Sequence, residues 1–382
     1  MKRILIMVTV LITLMVLPFP VQAADLTVAG KSSLLMDVAT GTVLQESNAH
    51  ERLAPASVTK VMTMLLIMEA VDSGKIAMTD MVTASETAAA KGGSQIYLKA
   101  GETMSVSDML KSIAVSSAND CACAMAEHIA GSEEAFVAQM NQRAKELGMK
   151  DTNFVNCTGL DDGENAAQHR TSAHDIALMS RQLLKNHPDI KKFTTIWMDT
   201  VRNGTFGLSN TNKLVRFYQG ATGLKTGFTS GAGYCLSATA QREGMELIAV
   251  VMGTDTSASR NAACKQLLDY GFANFAVIQP ELPEPEPICV KLGKASSVDA
   301  ILGEKDGILI EKAQKSSVSM DLTLEESVTA PVSQGQRVGT LTVKAGEQIL
   351  KEVPLVAAAG VERMDFGDLF TMVLKRAAMA RI

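Results

Sequence analysis

Metal-holding patterns are missing from this sequence of 382 residues. Its six cysteines include no Cys-x-x-Cys, and with the five histidines they form no zinc framework, so neither a metal nor another cofactor is expected. Positive charge is not in excess either: 36 Lys and Arg stand against 41 Asp and Glu, a net charge of -5, which argues against nucleic acid as a partner. Long apolar runs are absent beyond residues 4–17. That run falls short of the ~20 residues a membrane span needs, and no later segment suggests a transmembrane connection. Internal repeats are absent, and the one biased tract is an acidic, proline-dense stretch at 279–287.

What is present begins with Lys2 and Arg3, the apolar run, and Pro18-Phe19-Pro20-Val21-Gln22-Ala23, the three regions of a secretory signal peptide over residues 1–23. The small residue at Ala23 places the mature start at Ala24, with no cysteine there to carry a lipid. An extracytoplasmic chain invites disulfides. Cys121 and Cys123, however, diverge at i and i+2 on a helical segment, and Cys157, Cys235, Cys264 and Cys289 lie in apolar stretches, so buried free thiols are expected.

Residues 32–37 and 42–46 read as a β-hairpin, and 57–184 as mostly helical, with Met and Ala stripes at 104–130 and 133–147. Strand patterns return at 221–226, 233–240 and 245–252, with Arg242-Glu243-Gly244 as a turn. Strands at both ends with helices between them predict an α+β fold, one antiparallel sheet with a helical insertion, over 24–278. The tract at 279–287 reads as a stiff linker, and 288–360 as a small all-β domain with strands near 288–293, 307–311, 318–324, 336–344 and 348–355. In the tail, 361–382, Phe366, Leu369, Phe370, Val373, Ala377 and Ala380 share a helical face that excludes Asp365, Asp368, Lys375 and Arg376. Such an amphipathic helix either packs on the β domain or lies on a membrane surface.

Ser57-Val58-Thr59-Lys60 puts a hydroxyl and an amine three residues apart where a helix is expected to start, after Leu53-Ala54-Pro55-Ala56. Residues i and i+3 share a face, so the pair reads as a nucleophile with its own base beside unpaired helix N–H groups. Alone, the same residues are an ordinary N-cap and a solvated lysine. Further along stand Ser117-Ala118-Asn119 and Lys225-Thr226-Gly227. Ser-x-x-Lys, Ser-x-Asn and Lys-Thr-Gly in this order form the signature of penicillin-binding proteins and serine β-lactamases.

Leu53-Ala54-Pro55-Ala56-Ser57, Ser117-Ala118-Asn119-Asp120, Gly223-Leu224-Lys225-Thr226-Gly227 and the run 247–253 make the chain resemble the low-molecular-mass penicillin-binding proteins that act as D-alanyl-D-alanine carboxypeptidases. The resemblance implies their transpeptidase fold, an appended β domain, and a tail that holds the enzyme on the outer face of the cytoplasmic membrane. It implies a peptidoglycan stem peptide ending in D-Ala-D-Ala as substrate, and β-lactams as acylating ligands.

On that reading Ser57 attacks the carbonyl between two D-alanines and Lys60 takes its proton. Lysine titrates near 10.4, so a base at pH 7 needs a fall of roughly three pH units, about 4 kcal/mol. Burial, the helix N-terminus and a second cation, Lys225, are the expected sources. Ser117 would relay the proton to the leaving amine, and Asn119 would hold the substrate amide or Lys60. Lys225 and Thr226 would take the substrate carboxylate, with Gly227 completing that wall. The amides of Ser57 and Phe228 would receive the oxyanion. Arg260 would reach a carboxylate or form a surface salt bridge. His169, His174, Asp161 and Asp162 read as structural. Phe228 stands where some relatives carry His, and Ala118 where Gly or Asp is common.

Two other readings stay open on these motifs, a serine β-lactamase and a non-catalytic wall-binding or β-lactam-sensing module. Class A β-lactamases use a Glu to drive deacylation. Around Glu164-Asn165 the Glu-x-x-x-Asn spacing is missing, which points to slow release of antibiotic.

Overall fold

Leu247-Ile248-Ala249-Val250-Val251-Met252 is apolar on both faces of a strand, and the fold buries both. The computed structural model describes residues 26–161, 163 and 165–379. The expected signal peptide, Ala24, Asp162, Glu164 and Ala380 lie outside the described residues, as do the side chains of Lys375, Arg376 and Ala377.

β1 (Ser32–Asp37) and β2 (Val43–Ser47) form the expected hairpin. The helical insertion follows as α1 (Lys60–Asp72), α2 (Val106–Ser116), α3 (Asn119–Ala130), α4 (Glu133–Glu146) and α5 (Ala173–Asn186). Serine side chains cap three of these helices: Ser105, Ser132 and Ser172 accept the amides of Asp108, Ala135 and Asp175. β3 (Ala221–Thr229), β4 (Gly233–Arg242) and β5 (Met245–Thr254) complete an antiparallel sheet of order β2-β1-β5-β4-β3. Its centre is the pairing of β1 with β5, Leu34 opposite Val250, so segments over 200 residues apart close one sheet.

The alternation on β5 divides the interior. Ile248, Val250 and Met252 join α1, whose surface is apolar on every side and is therefore enclosed by the insertion. Leu247, Ala249 and Val251 meet Ala263, Cys264, Leu267 and Leu268 of α6 (Ser257–Asn274). α6 was not among the expected elements, because the charged Arg260 stands on its buried face and blurs the apolar pattern. Nor were two short ribbons, Met81–Thr83 with Thr103–Ser105 and Met198–Val201 with Phe206–Ser209, whose strands are only three or four residues long.

β6 (Phe275–Ile278) pairs with β7 (Ile308–Glu311), and residues 279–287 carry neither helix nor strand. β8 (Val318–Leu324), β9 (Arg337–Ala345) and β10 (Gln348–Ala357) then form a sheet with Ala300–Leu302 around Val338, Leu341, Val353 and Leu355. Ile288–Lys291 belongs to a separate small sheet, where Cys289 points to solvent. Burial therefore holds for five of the thiols and is corrected for Cys289, an outward position on an alternating strand. The tail forms α7 (Phe366–Met379), and Phe366, Phe370, Val373 and Leu374 are solvent-exposed on it. Among the described residues no helix is long and apolar enough to cross a membrane.

Candidate active site

Ser57 lies on a 3-10 turn, Ala56–Thr59, that precedes α1, so the regular helix begins three residues later than the sequence pattern suggests. In a 3-10 turn residues i and i+3 eclipse. Lys60 consequently stands beneath Ser57, with Nζ 2.9 Å from the serine Oγ. The same Nζ donates to the carbonyl oxygen of Thr158 at 2.8 Å. A neutral amine has one lone pair, and with an N–H held by Thr158 that lone pair is free to face the Ser57 hydroxyl.

Lys60 is wholly buried, and burial lowers its pKa from 10.5 to about 7 against the opposing pull of Cys157 and Asp120. Burial is the largest cause of that fall, and the nearby Lys225 and Lys60 each disfavour the other's charged form. Lys225 is also buried, and burial, Lys60 and Arg260 together push its pKa well below the ordinary range. Its Nζ donates to the carbonyl of Thr226 at 2.8 Å.

β3 is the edge strand that meets the Ser57 turn. A Cβ added at Gly227 would lie 2.7 Å from the Pro55 carbonyl oxygen and 3.0 Å from the amide nitrogens of Ser57 and Val58, so only glycine permits this approach. Phe228 follows on the same strand with its ring exposed, 4.2 Å between centroids from the ring of Tyr234 across the β3–β4 pair. Thr226 Oγ1 shares a 2.6 Å hydrogen bond with Thr211, whose amide donates to Val115 near the end of α2. β3 is thereby tied to the helix that Ser117 follows.

Ser117 occupies the break between α2 and α3 with φ +63°, a left-handed conformation that costs a serine of order 1 kcal/mol or more. Asn119 opens α3 and does not hold Lys60. Its Nδ2 donates to Gly92 at 2.7 Å, and its buried Oδ1 has no hydrogen-bond partner among the described residues. A substrate N–H is the kind of group such an acceptor lacks. Asp120 accepts the amides of Ile96 and Leu98 and fixes the loop beside Asn119.

Arg260 is buried, its Nε donating to Asn261 and its guanidinium 5.9 Å from the Tyr234 ring centroid. A surface salt bridge is therefore corrected: among the described residues no carboxylate pairs with Arg260. His174 contacts Asp175 and stacks on His50, whereas His169 is enclosed and hydrogen-bonded through both ring nitrogens. Asp161 approaches Gly231, on the turn that follows β3. The Thr158 carbonyl and Tyr234 were missed by the sequence reading. A main-chain oxygen has no side-chain signature, and Tyr234 enters only through strand pairing.

The D-alanyl-D-alanine carboxypeptidase family matches residues 19–256, and the C-terminal domain of penicillin-binding protein 5 matches residues 284–363. Over 382 residues the chain is 43% identical to the D-alanyl-D-alanine carboxypeptidase DacF of Bacillus subtilis, covering 96% of each chain. Penicillin binding protein 5 from Haemophilus influenzae is similar in structure, with a TM-score of 0.74 and 32% identity over 88% of this chain and 99% of that one. The ampicillin-bound form of Penicillin-Binding Protein D2 from Listeria monocytogenes gives a TM-score of 0.57 at 31% identity, over 65% of this chain and 99% of that one.

Proposed function

The chain belongs to the D-alanyl-D-alanine carboxypeptidase family, and from that premise we propose that Ser57 is the nucleophile with which this serine peptidase removes the terminal D-alanine of peptidoglycan pentapeptides. The Ser57 hydroxyl gives its proton to the neutral Lys60 amine as Oγ bonds to the carbonyl carbon. The tetrahedral oxyanion is held by the amides of Ser57 and Phe228. The carbon–nitrogen bond then breaks, and the departing amine takes a proton from Lys60 through Ser117. Water hydrolyses the remaining ester and restores Ser57. Asn119 Oδ1 accepts a substrate N–H, while Lys225, Thr226 and Arg260 receive the terminal carboxylate. Trimming that residue limits cross-linking, and a β-lactam would acylate the same serine.

One observation carries this assignment: a buried lysine, with its pKa lowered to about 7, stands 2.9 Å from a serine hydroxyl. The mature protein incubated with diacetyl-lysyl-D-alanyl-D-alanine should release free D-alanine, and Ser57→Ala should cut release by about four orders of magnitude or more. Equal release by the variant would remove Ser57 from the reaction.

The protein acts outside the cytoplasm after loss of residues 1–23, on the membrane's outer face. Lys2, Arg3 and the apolar run support export. The exposed aromatic and aliphatic side chains of α7 support a peripheral anchor.

A further inference from the structure

Ala56, the residue before Ser57, has φ +47°, a left-handed conformation that its methyl group disfavours and that its surroundings must hold. The Ala56 carbonyl is pinned from two sides. Gly159 lies so near that a Cβ there would stand 1.8 Å from that oxygen. Thr59 Oγ1 donates to the same oxygen at 2.8 Å. A threonine hydroxyl has one proton and this bond uses it, so the other partner of Thr59, His169 Nε2 at 2.7 Å, must be the donor. The second ring nitrogen, Nδ1, accepts the amide of Val155 at 3.1 Å. Both nitrogens are thus committed, and they specify a neutral ring with its proton on Nε2.

The surroundings of His169 keep it neutral. It is buried, with the Phe154 ring edge-on at 5.7 Å. The charged groups that face it are Lys60, on the helix after Thr59, and Arg170, the next residue. Burial first, then Arg170 and Lys60, lower its pKa from 6.5 to about 4.

We propose that His169 is a positioning residue for the peptidase reaction: through Thr59 it holds the Ala56 carbonyl, and with it the strained turn that presents the Ser57 hydroxyl and amide to substrate. The inference rests on Ser57 as the nucleophile. His169 touches no reacting atom, so its removal slows acylation without weakening the first, non-covalent encounter.

The test uses the full chain with a fluorescent penicillin, resolving non-covalent affinity from the first-order acylation rate, with melting temperatures alongside. His169→Phe keeps the ring volume and removes the donor. Its acylation rate should fall about 10- to 100-fold, the effect of one lost buried hydrogen bond, at unchanged affinity. His169→Gln, whose amide can donate from near the Nε2 position, should recover most of the rate. Thr59→Val should lose as much as His169→Phe, Thr59→Ser should recover, and Thr59→Val with His169→Phe should be no slower than Thr59→Val alone. Should His169→Phe not fold, His169→Met, which also lacks a donor, carries the same test against His169→Gln.

Acylation of His169→Phe at the wild-type rate, a loss confined to affinity, or a double variant slowed by the product of the single losses would each overturn the inference while leaving Ser57 in place. A wild-type protein that releases D-alanine but forms no Ser57 adduct would overturn the nucleophile assignment, and this inference with it.

Discussion

Lys60 is a residue whose chemistry depends on where it is put. Moving its pKa from 10.5 to about 7 means that the fold disfavours the ammonium by roughly 5 kcal/mol, a cost met by the packing of α1 among the insertion helices. The base must be neutral to accept the serine proton, and below its pKa the proton already present blocks it. D-alanine release should therefore rise about tenfold per pH unit up to about 7 and level off above, in initial-rate assays from pH 5 to 9. A flat profile would mean that another group takes the proton. Lys225 is shifted in the same direction by the same burial, and a bound carboxylate would favour its charged form again. At this scale the spacing of Ser57 and Lys60 was legible because one helical turn is local. The titration of Lys60 was legible only as a requirement, since burial is a property of the assembled core.

Among the elements, the breaks matter as much as the helices. α2 and α3 are separated by Ser117 in a left-handed conformation, and β3 meets the Ser57 turn only because Gly227 has no side chain. The Ser-x-Asn and Lys-Thr-Gly motifs marked both places in the sequence, but not that Asn119 would turn its Nδ2 to Gly92 and leave its Oδ1 open. That outcome depends on the 92–98 loop, which has no motif of its own. α7 poses the converse case. Its amphipathic pattern was plain, yet two partners fitted it. The exposure of Phe366 at 84% and Phe370 at 58% leaves those rings without a covering surface among the described residues. Removal of residues 366–382 should transfer the exported protein from the membrane fraction to the soluble one, without changing D-alanine release from a soluble peptide. Full retention on membranes would assign anchoring to another segment.

For the whole molecule, β7 links the two halves. Leu309 packs towards the core that holds α6, while Ile308 and Ile310 pack with Val343. The chain thus crosses into the C-terminal β structure at Phe275–Ile278, before the proline-dense stretch. Ile310→Ala should lower the stability of the C-terminal half by about 2–5 kcal/mol, the usual cost of that truncation in a core. D-alanine release should persist, because the sheet beside Ser57 is filled by other residues. A calorimetric scan in which both halves lose stability together would show that they unfold as one unit. By itself, the sequence determined what is encoded over a few residues: the hairpin, the helical insertion, the longer strands of the central and C-terminal sheets, and three motifs whose order names the chemistry. Tertiary structure decided what needs distant partners. Lys60 finds the Thr158 carbonyl 98 residues away, and Thr59 finds His169 at a distance of 110. Helical periodicity and turn chemistry act over one or two turns of chain, whereas the desolvation of an amine and the bracing of a strained carbonyl exist only once remote segments have closed around them.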